Sequence, residues 1–214
     1  MTRAITFGPL RVEFLPRGDR IAHTIYVVER GDGGGVGGGD GGGGGGDSAG
    51  VWRPLLHSVE SEADAAWPES PPLQELHVEE RDGRSVALLV GRAGKSHWSA
   101  SIGREFGQNG GDALVFDVAC RVSSRPQRLG SAYELAEGVA WMGERVGDTN
   151  IISEWRSIVL HPDPGKSGSQ WQLAVDATAR LIAVGPQSRL GLRPSDSAES
   201  YPATLRWRYT LRRG

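Results

Sequence analysis

The sequence predicts an all-β protein built mostly from antiparallel strands, and three observations support this class. Apolar and polar residues alternate with a period of two from one end of the chain to the other. Gly, Pro, Asp or Asn bounds these segments at short intervals, as turns require. A helix competes over residues 131–146, but Gly138 and Gly143 interrupt that stretch, so strand is favoured there as well. We expect a two-sheet sandwich of about nine to twelve strands, with a curled, barrel-like sheet as the alternative.

The N-terminal segment predicts a β-hairpin. Apolar and charged residues alternate over residues 10–14, and the turn that follows contains Arg-Gly-Asp at residues 17–19. The returning strand has His23 on its apolar side. We expect His23, like the other isolated histidines His57 and His161, to be a packing or turn residue.

Residues 31–50, GDGGGVGGGDGGGGGGDSAG, contain fourteen glycines and cannot supply a core. We predict a disordered loop, which begins within a second Arg-Gly-Asp at residues 30–32. Because HTIYVVER before it and VWRPLLHSVE after it both resemble strands, the loop is expected within a single domain spanning residues 1–214. Its aspartates do not match glycine-rich calcium repeats, since Val36 is the only apolar residue available to them.

Residues 73–102 predict a three-stranded meander. Each of its two outer strands has a polar side. The central strand between them is apolar, and we expect it to be covered on both faces. Carboxylates and imidazoles on one concave sheet face could act as general acid and base, as metal ligands, or as a sugar-binding surface beside a tryptophan. The ordinary interpretation is a solvated sheet face. The candidate catalytic residues of this face are Glu75, His77, Glu79 and His97.

Gly-Lys-Ser at residues 94–96 follows an apolar run and invites comparison with a phosphate-binding loop. That loop needs a glycine where this chain has Leu89, and Gly91 comes two residues too late. The chain then continues as HWSASI, which alternates like a strand and does not begin a helix. Gly-Lys-Ser recurs at residues 165–167 between two further strand-like segments, so both copies are predicted to be turns.

The clearest two-sided strands are residues 113–122 and 203–213, and Cys120 falls on the apolar side of the first. We predict a buried, inert thiol there. Four tryptophans on apolar strand faces are expected in the core, Trp155 sharing its side with Val159: Trp98, Trp155, Trp171 and Trp207. Three tryptophans near irregular stretches are candidates for stacking against a ligand: Trp52, Trp67 and Trp141.

Composition disfavours several classes of partner. The formal net charge is −2 and the pI about 6.2, so no overall field would attract nucleic acid or an anionic membrane. One cysteine allows no intrachain disulfide, and the N-terminus lacks an apolar run of signal-peptide length. We expect a soluble, cytoplasmic protein. No close histidine pair suggests a metal site, and no motif suggests a cofactor.

Two functions from different classes remain. The first is a non-catalytic binding or interaction module for a small molecule or protein, with carbohydrate favoured by analogy with sandwiches that expose tryptophan. The second is a sugar-directed hydrolase or isomerase that uses the Glu/His set of residues 75–97. The burial of these Glu and His side chains discriminates between the two functions. If they converge in a pocket, the enzyme is favoured; if they are exposed to solvent, the binding module is favoured.

Overall fold

The computed structural model describes residues 2–29, 50–61, 66–106, 112–146, 154–162, 169–184 and 189–214. These stretches form fifteen β-strands and no helix, which confirms the all-β class. The strands are β1 Arg3–Phe7, β2 Leu10–Arg17, β3 Arg20–Glu29, β4 Val51–Ser58, β5 Leu73–Arg81, β6 Arg84–Ala93, β7 Ser96–Phe106, β8 Asp112–Val122, β9 Ser131–Leu135, β10 Ala140–Val146, β11 Glu154–His161, β12 Trp171–Val175, β13 Ala179–Val184, β14 Arg189–Pro194 and β15 Ala203–Arg213. The described part of the chain thus contains no helix that could cross a membrane.

Several predictions concern residues outside this description. Residues 31–49 of the glycine tract lie there, together with the second Arg-Gly-Asp and the second Gly-Lys-Ser at 165–167. The strands on either side of the tract are hydrogen-bonded neighbours, and Glu29 of β3 is paired with Val51 of β4.

All fifteen strands belong to one antiparallel sheet. Its order is β1-β2-β3-β4-β9-β14-β13-β11-β12-β15-β8-β7-β6-β5, and β10 pairs with β11 beside this path. The sheet curls strongly into a half-barrel. The curled sheet predicted as the alternative is confirmed, whereas the two-sheet sandwich is not. A curled sheet of this kind buries its apolar side against itself and needs no second layer.

Turn chemistry explains the hairpins that position the longer strands. Gly18 joins β2 to β3 with φ 61°, and Gly94 joins β6 to β7 with φ 55°, both in the left-handed region that favours glycine. The Gly-Lys-Ser at residues 94–96 is therefore a hairpin turn, as predicted. Residues 131–146 form two strands separated by a turn at Gly138, which confirms the preference for strand there.

The core fills the inside of the curl. Trp98, Trp171 and Trp207 are buried there, as predicted, and burial of side chains of this size stabilises the fold by roughly 2–3 kcal/mol each. Cys120 is also buried, and the loss of solvent raises the pKa of its thiol to about 12. Such a thiol stays protonated and unreactive near neutral pH.

A buried polar network crosses the inside of the curl. Nε2 of His23 in β3 lies 2.8 Å from the hydroxyl oxygen of Tyr133 in β9, which lies 2.7 Å from the hydroxyl oxygen of Tyr209 in β15. The ring of Phe116 in β8 stacks on Tyr209 with centroids 4.8 Å apart, and on His23 with centroids 5.8 Å apart. The network therefore ties together strands from the two halves of the sheet.

Burial controls the protonation of this network. Removal from solvent lowers the pKa of His23 to about 4 and raises that of Tyr209 to about 12. It also raises the pKa of Tyr133 well above its usual value. All three side chains are neutral near pH 7 and exchange hydrogen bonds with each other, as expected of a structural network.

Candidate functional site

The candidate catalytic face of β5, β6 and β7 has the predicted arrangement of rows. Glu75 is level with Val90, and His77 is level with Leu88 and then Ser101. The face is the outer side of the curl, and the side chain of His77 is 72% exposed. Its Nε2 lies 3.8 Å from a carboxylate oxygen of Glu79, which is the one close polar contact within the set.

His97 does not join this group. It pairs with Arg92, one residue past the end of the β5–β6 ladder at Gly91. His97 is four residues from the level of His77, or roughly 13 Å along the strand at 3.3 Å per residue. The outer face of β6, between the polar rows of β5 and β7, is uncovered, and Val90 is 47% exposed there. The prediction that this central strand is covered on both faces is therefore wrong. Within the described residues the core lies on one side of a single sheet, and none of them forms a second layer over the other side.

The three candidate stacking tryptophans are all partly buried. Trp67, in the loop before β5, packs against the core. The ring of Trp141 in β10 meets the ring of Trp155 in β11 edge-on, with centroids 5.2 Å apart. Trp52 lies in β4 beside the residues that border the glycine tract. These three side chains lie on separate elements of the chain.

The most distinctive local geometry lies on β11. One edge of this strand pairs with β10 along its length, from Glu154 to His161. The other edge pairs first with β13, where Trp155 is opposite Leu181, and then with β12, from Ser157 onward. Strands β12 and β13 thus take successive positions on the same edge, and then diverge towards β15 and β14 respectively. We call this point of divergence the fork.

A β-bulge accompanies the fork. On β10, Gly143 and Arg145 are two residues apart, whereas their partners Ile158 and Trp155 are three apart. The extra residue on β11 shifts the alternation, so Trp155 and Ile158 both face the core. The prediction that Trp155 shares its side with Val159 is wrong for this reason, although its burial is confirmed. Arg156 lies within the bulge, and the pairing registers of β11 skip it.

The loop from β12 to β13 closes the fork and is held by its own side chains. Oδ1 of Asp176 accepts hydrogen bonds from the backbone N–H of Thr178 at 2.8 Å and from its hydroxyl at 2.6 Å. Oγ1 of Thr178 in turn accepts from the backbone N–H of Arg208 in β15, at 3.1 Å. This Asx-type turn fixes the loop without help from a ligand.

A cavity of about 480 Å³ occupies the fork, a size within the usual range for small-molecule sites. Trp155 forms part of its wall and is 9% exposed. Two arginines and one aspartate also line this fork cavity, whose lining among the described residues is Trp155, Arg156, Val175, Asp176, Ala177, Ala179 and Arg180.

The lining supplies hydrogen-bond donors. The indole Nε1 of Trp155 is buried and has no hydrogen-bond partner in the described part of the chain. The side chain of Arg156 forms no hydrogen bond or ion pair with any described residue. Arg180 donates from Nη2 to the carbonyl oxygen of Ser195 at 3.0 Å, which anchors it over the loop. An indole beside charged donors can hold a polar ligand, and the described part of the lining holds one carboxylate and no histidine.

A second, smaller cavity of about 90 Å³ lies beside β9 and β14. Two of the arginines that line it are ion-paired: Glu69 contacts Arg128 at 2.7 Å and Arg189 at 3.5 Å, and Arg189 also contacts Glu134 at 2.7 Å. The fork cavity is much the larger of the two and is therefore the better candidate site. Among the described residues, no group of three or more His, Cys, Asp or Glu side chains is placed to hold a metal ion.

Comparison of the chain with protein-family models, with curated proteins and with solved structures gave no match. Function must therefore be inferred from the site itself. Sequence reasoning assigned Trp155 to the core and did not consider Arg156 or Arg180. The one local signal was Asp-Ala-Thr at residues 176–178, a turn sequence between two short apolar runs.

Proposed function

We propose that this protein is a non-catalytic module that binds a small saccharide in the fork cavity. The observation that carries the proposal is the cavity of about 480 Å³, whose described lining brings together Trp155, two arginines and Asp176. A sugar ring presents apolar C–H groups that suit an aromatic surface and hydroxyl groups that suit charged donors and acceptors. The N–H of Trp155 has no partner among the described residues but lies below the cavity surface, so a ligand hydroxyl that displaced the wall enough to reach it would gain a hydrogen bond without breaking one.

Two further features support a binding module. The loop at the fork is fixed by Asp176 and Thr178 before any ligand arrives, which reduces the entropic cost of binding. The Glu/His set of β5 and β7 lies in solvent on the outer face, an arrangement that by the burial criterion favours a module over a hydrolase. We propose a reducing, cytoplasmic setting as well, because the one cysteine is a buried thiol.

The test is titration of the protein with D-glucose and other neutral monosaccharides, observed by calorimetry and by chemical shifts of the indole N–H groups. We expect a dissociation constant in the millimolar range and a shift of the Trp155 signal. Trp155→Phe keeps an aromatic wall but removes the N–H. The variant should bind about fivefold more weakly, the equivalent of one hydrogen bond of about 1 kcal/mol.

Trp98→Phe is the matched control. Trp98 is also buried with an indole N–H that lacks a partner, but it lies in β7 and does not line the fork cavity. Its replacement should leave saccharide affinity unchanged. Absence of binding to any saccharide would refute the proposal, as would an equal loss of affinity in both variants.

A further inference from the structure

We infer that two copies of this chain pair edge to edge through β5, so that β5 of one copy and β5 of the other form an antiparallel ladder across a two-fold axis. Among the described strands, three have one edge with no strand partner: β1, β5 and β10. β5 is the longest of them, with nine residues against five in β1 and seven in β10. A long open edge presents backbone donors and acceptors with which another strand can pair.

The turn from β5 to β6 fixes which residues of β5 face β6. It consists of Asp82 and Gly83, and both have positive φ, at 51° and 71°, as a two-residue hairpin turn requires. Such a turn is closed by a pair that exchanges hydrogen bonds across the ladder, here Arg81 and Arg84. Successive residues of a strand direct their backbone groups to opposite edges. Every second residue back from Arg81 therefore also faces β6.

The residues between these, Leu76, Val78 and Glu80, direct their N–H and C=O groups to the open edge. The carbonyl oxygen of Leu76 supports this assignment, because it accepts a hydrogen bond from Nη1 of Arg3 at 3.4 Å. That contact is exposed, so the edge can be reached from solvent at Leu76. A second strand laid along β5 would find its donors and acceptors at these three residues.

The side chains of β5 match those of a second copy when the two-fold axis passes through Val78. Glu75 of one copy then lies opposite Arg81 of the other, and His77 lies opposite Glu79. Symmetry repeats each pairing, so all four polar side chains on the outer face of β5 have a complementary group directly opposite. The two copies of Val78 lie opposite each other on the other face and exchange backbone hydrogen bonds.

Other positions of the axis are less favourable. An axis at His77 brings Glu75 opposite Glu79, and an axis at Glu79 sets the two copies of that carboxylate opposite each other. Shifts by two residues either leave Arg81 with no carboxylate opposite it or set the two copies of Glu80 opposite each other. Like charges directly opposite destabilise a ladder, so β5 is self-complementary in one register.

The side chains that form these pairs are accessible. His77 is 72% exposed and Arg81 is 60% exposed, and both contact Glu79 within the chain. Glu75 is exposed and has no ion pair with any described residue. Pairing with a second copy gives Glu75 an arginine partner.

The experiment is sedimentation velocity of the full chain at concentrations from about 5 to 200 μM. We expect a monomer–dimer equilibrium with a dissociation constant of roughly 10 to 100 μM, in keeping with an interface of a few strand residues. Added NaCl should weaken the dimer, because salt screens exposed ion pairs. At high concentration the backbone N–H groups of Val78 and Glu80 should exchange with solvent more slowly, because the ladder engages them.

Charge reversal tests the register. Glu75→Arg and Arg81→Glu should each weaken the dimer by about fivefold to tenfold, because each places like charges opposite at two symmetric positions. The double variant should restore the wild-type affinity. Glu75 and Arg81 are roughly 20 Å apart along one strand, so pairing between chains accounts for such a rescue and pairing within a chain does not. Glu137→Arg, an exposed change in the turn before β10, is the matched control and should leave the dimer unchanged.

Thermal unfolding checks that every variant keeps its fold. A protein that stays monomeric at all concentrations would overturn the inference. A dimer that neither reversal weakens, or that the double variant does not restore, would lie on another surface and would overturn it as well.

Discussion

The buried His23 predicts a specific dependence of stability on pH. Its ring is enclosed by Phe14, Phe116 and Tyr133, and burial lowers its pKa to about 4 from an ordinary value of 6.5. In the unfolded chain His23 takes up a proton near pH 6.5, whereas in the folded protein it stays neutral down to about pH 4. Between these values the unfolded state binds more protons, so the free energy of unfolding falls as the pH falls.

The magnitude follows from the difference between the two pKa values. This difference is about 2.5, and each pKa unit corresponds to about 1.4 kcal/mol. His23 therefore contributes about 3 kcal/mol to the free energy of unfolding. This stability is fully present above pH 6.5 and is lost as the pH falls through about 4. Glu60 acts in the opposite direction, because burial raises its pKa and the folded protein takes up that proton first. The net pH dependence of the wild type is therefore smaller than that of His23 alone.

A substitution isolates the contribution of His23 to the pH dependence of stability. His23→Gln cannot take up a proton and still offers an amide to the hydroxyl of Tyr133. We expect the wild type to exceed the variant in unfolding free energy at pH 7.5, and that excess to shrink by about 3 kcal/mol by pH 4. Because Glu60 is present in both proteins, its contribution largely cancels in the difference.

The assay is urea unfolding followed by tryptophan fluorescence, at intervals of one pH unit from 7.5 to 4. His77→Gln is the matched control, since its ring stands in solvent and its loss should leave the pH profile unchanged. A constant difference between wild type and His23→Gln at every pH would refute the reasoning, because His23 would then titrate alike in the folded and unfolded states.

Two further predictions concern glycines in strands; urea unfolding tests the first, and urea unfolding together with saccharide titration tests the second. At Gly91 an added Cβ would lie 2.8 Å from the carbonyl carbon of Pro72, which is backbone and cannot move aside, so Gly91→Ala should cost about 3 kcal/mol. Gly103→Ala meets nothing closer than a methyl group at 3.6 Å and should be neutral; equal effects would contradict the packing argument. At Gly143 the added Cβ would lie 2.7 Å from the indole of Trp155, so Gly143→Ala should shift that ring and weaken saccharide binding more than it lowers stability.

The sequence was informative wherever a strand keeps its period of two. In β8 and β15 the predicted faces agree with the observed burial, and Tyr209 and Phe116 are paired across the ladder as alternation requires. His23 likewise falls on the buried side of β3, as its position predicted. Period and turn residues are local properties, so a single sequence contains them.

The curl is not a local property. Whether the apolar sides of many strands face a second sheet or face each other depends on twist and on which strands pair, and both alternatives bury the same residues. Leu88 and Val90 illustrate the limit. Their apolar character suggested a covered strand, but they lie on the outer face of a single sheet.

The sequence did not predict the fork for a related reason. A single extra residue on β11 moves Trp155 onto the same face as Ile158, and period-two reasoning cannot detect a bulge without knowing the partner strand. The same bulge removes Arg156 from the pairing registers and places it beside the turn that Asp176 holds. In a continuous ladder, side chains alternate between core and solvent and seldom converge. Convergence requires a break in the ladder, so the break that defeats prediction from period is also the feature that creates the candidate site.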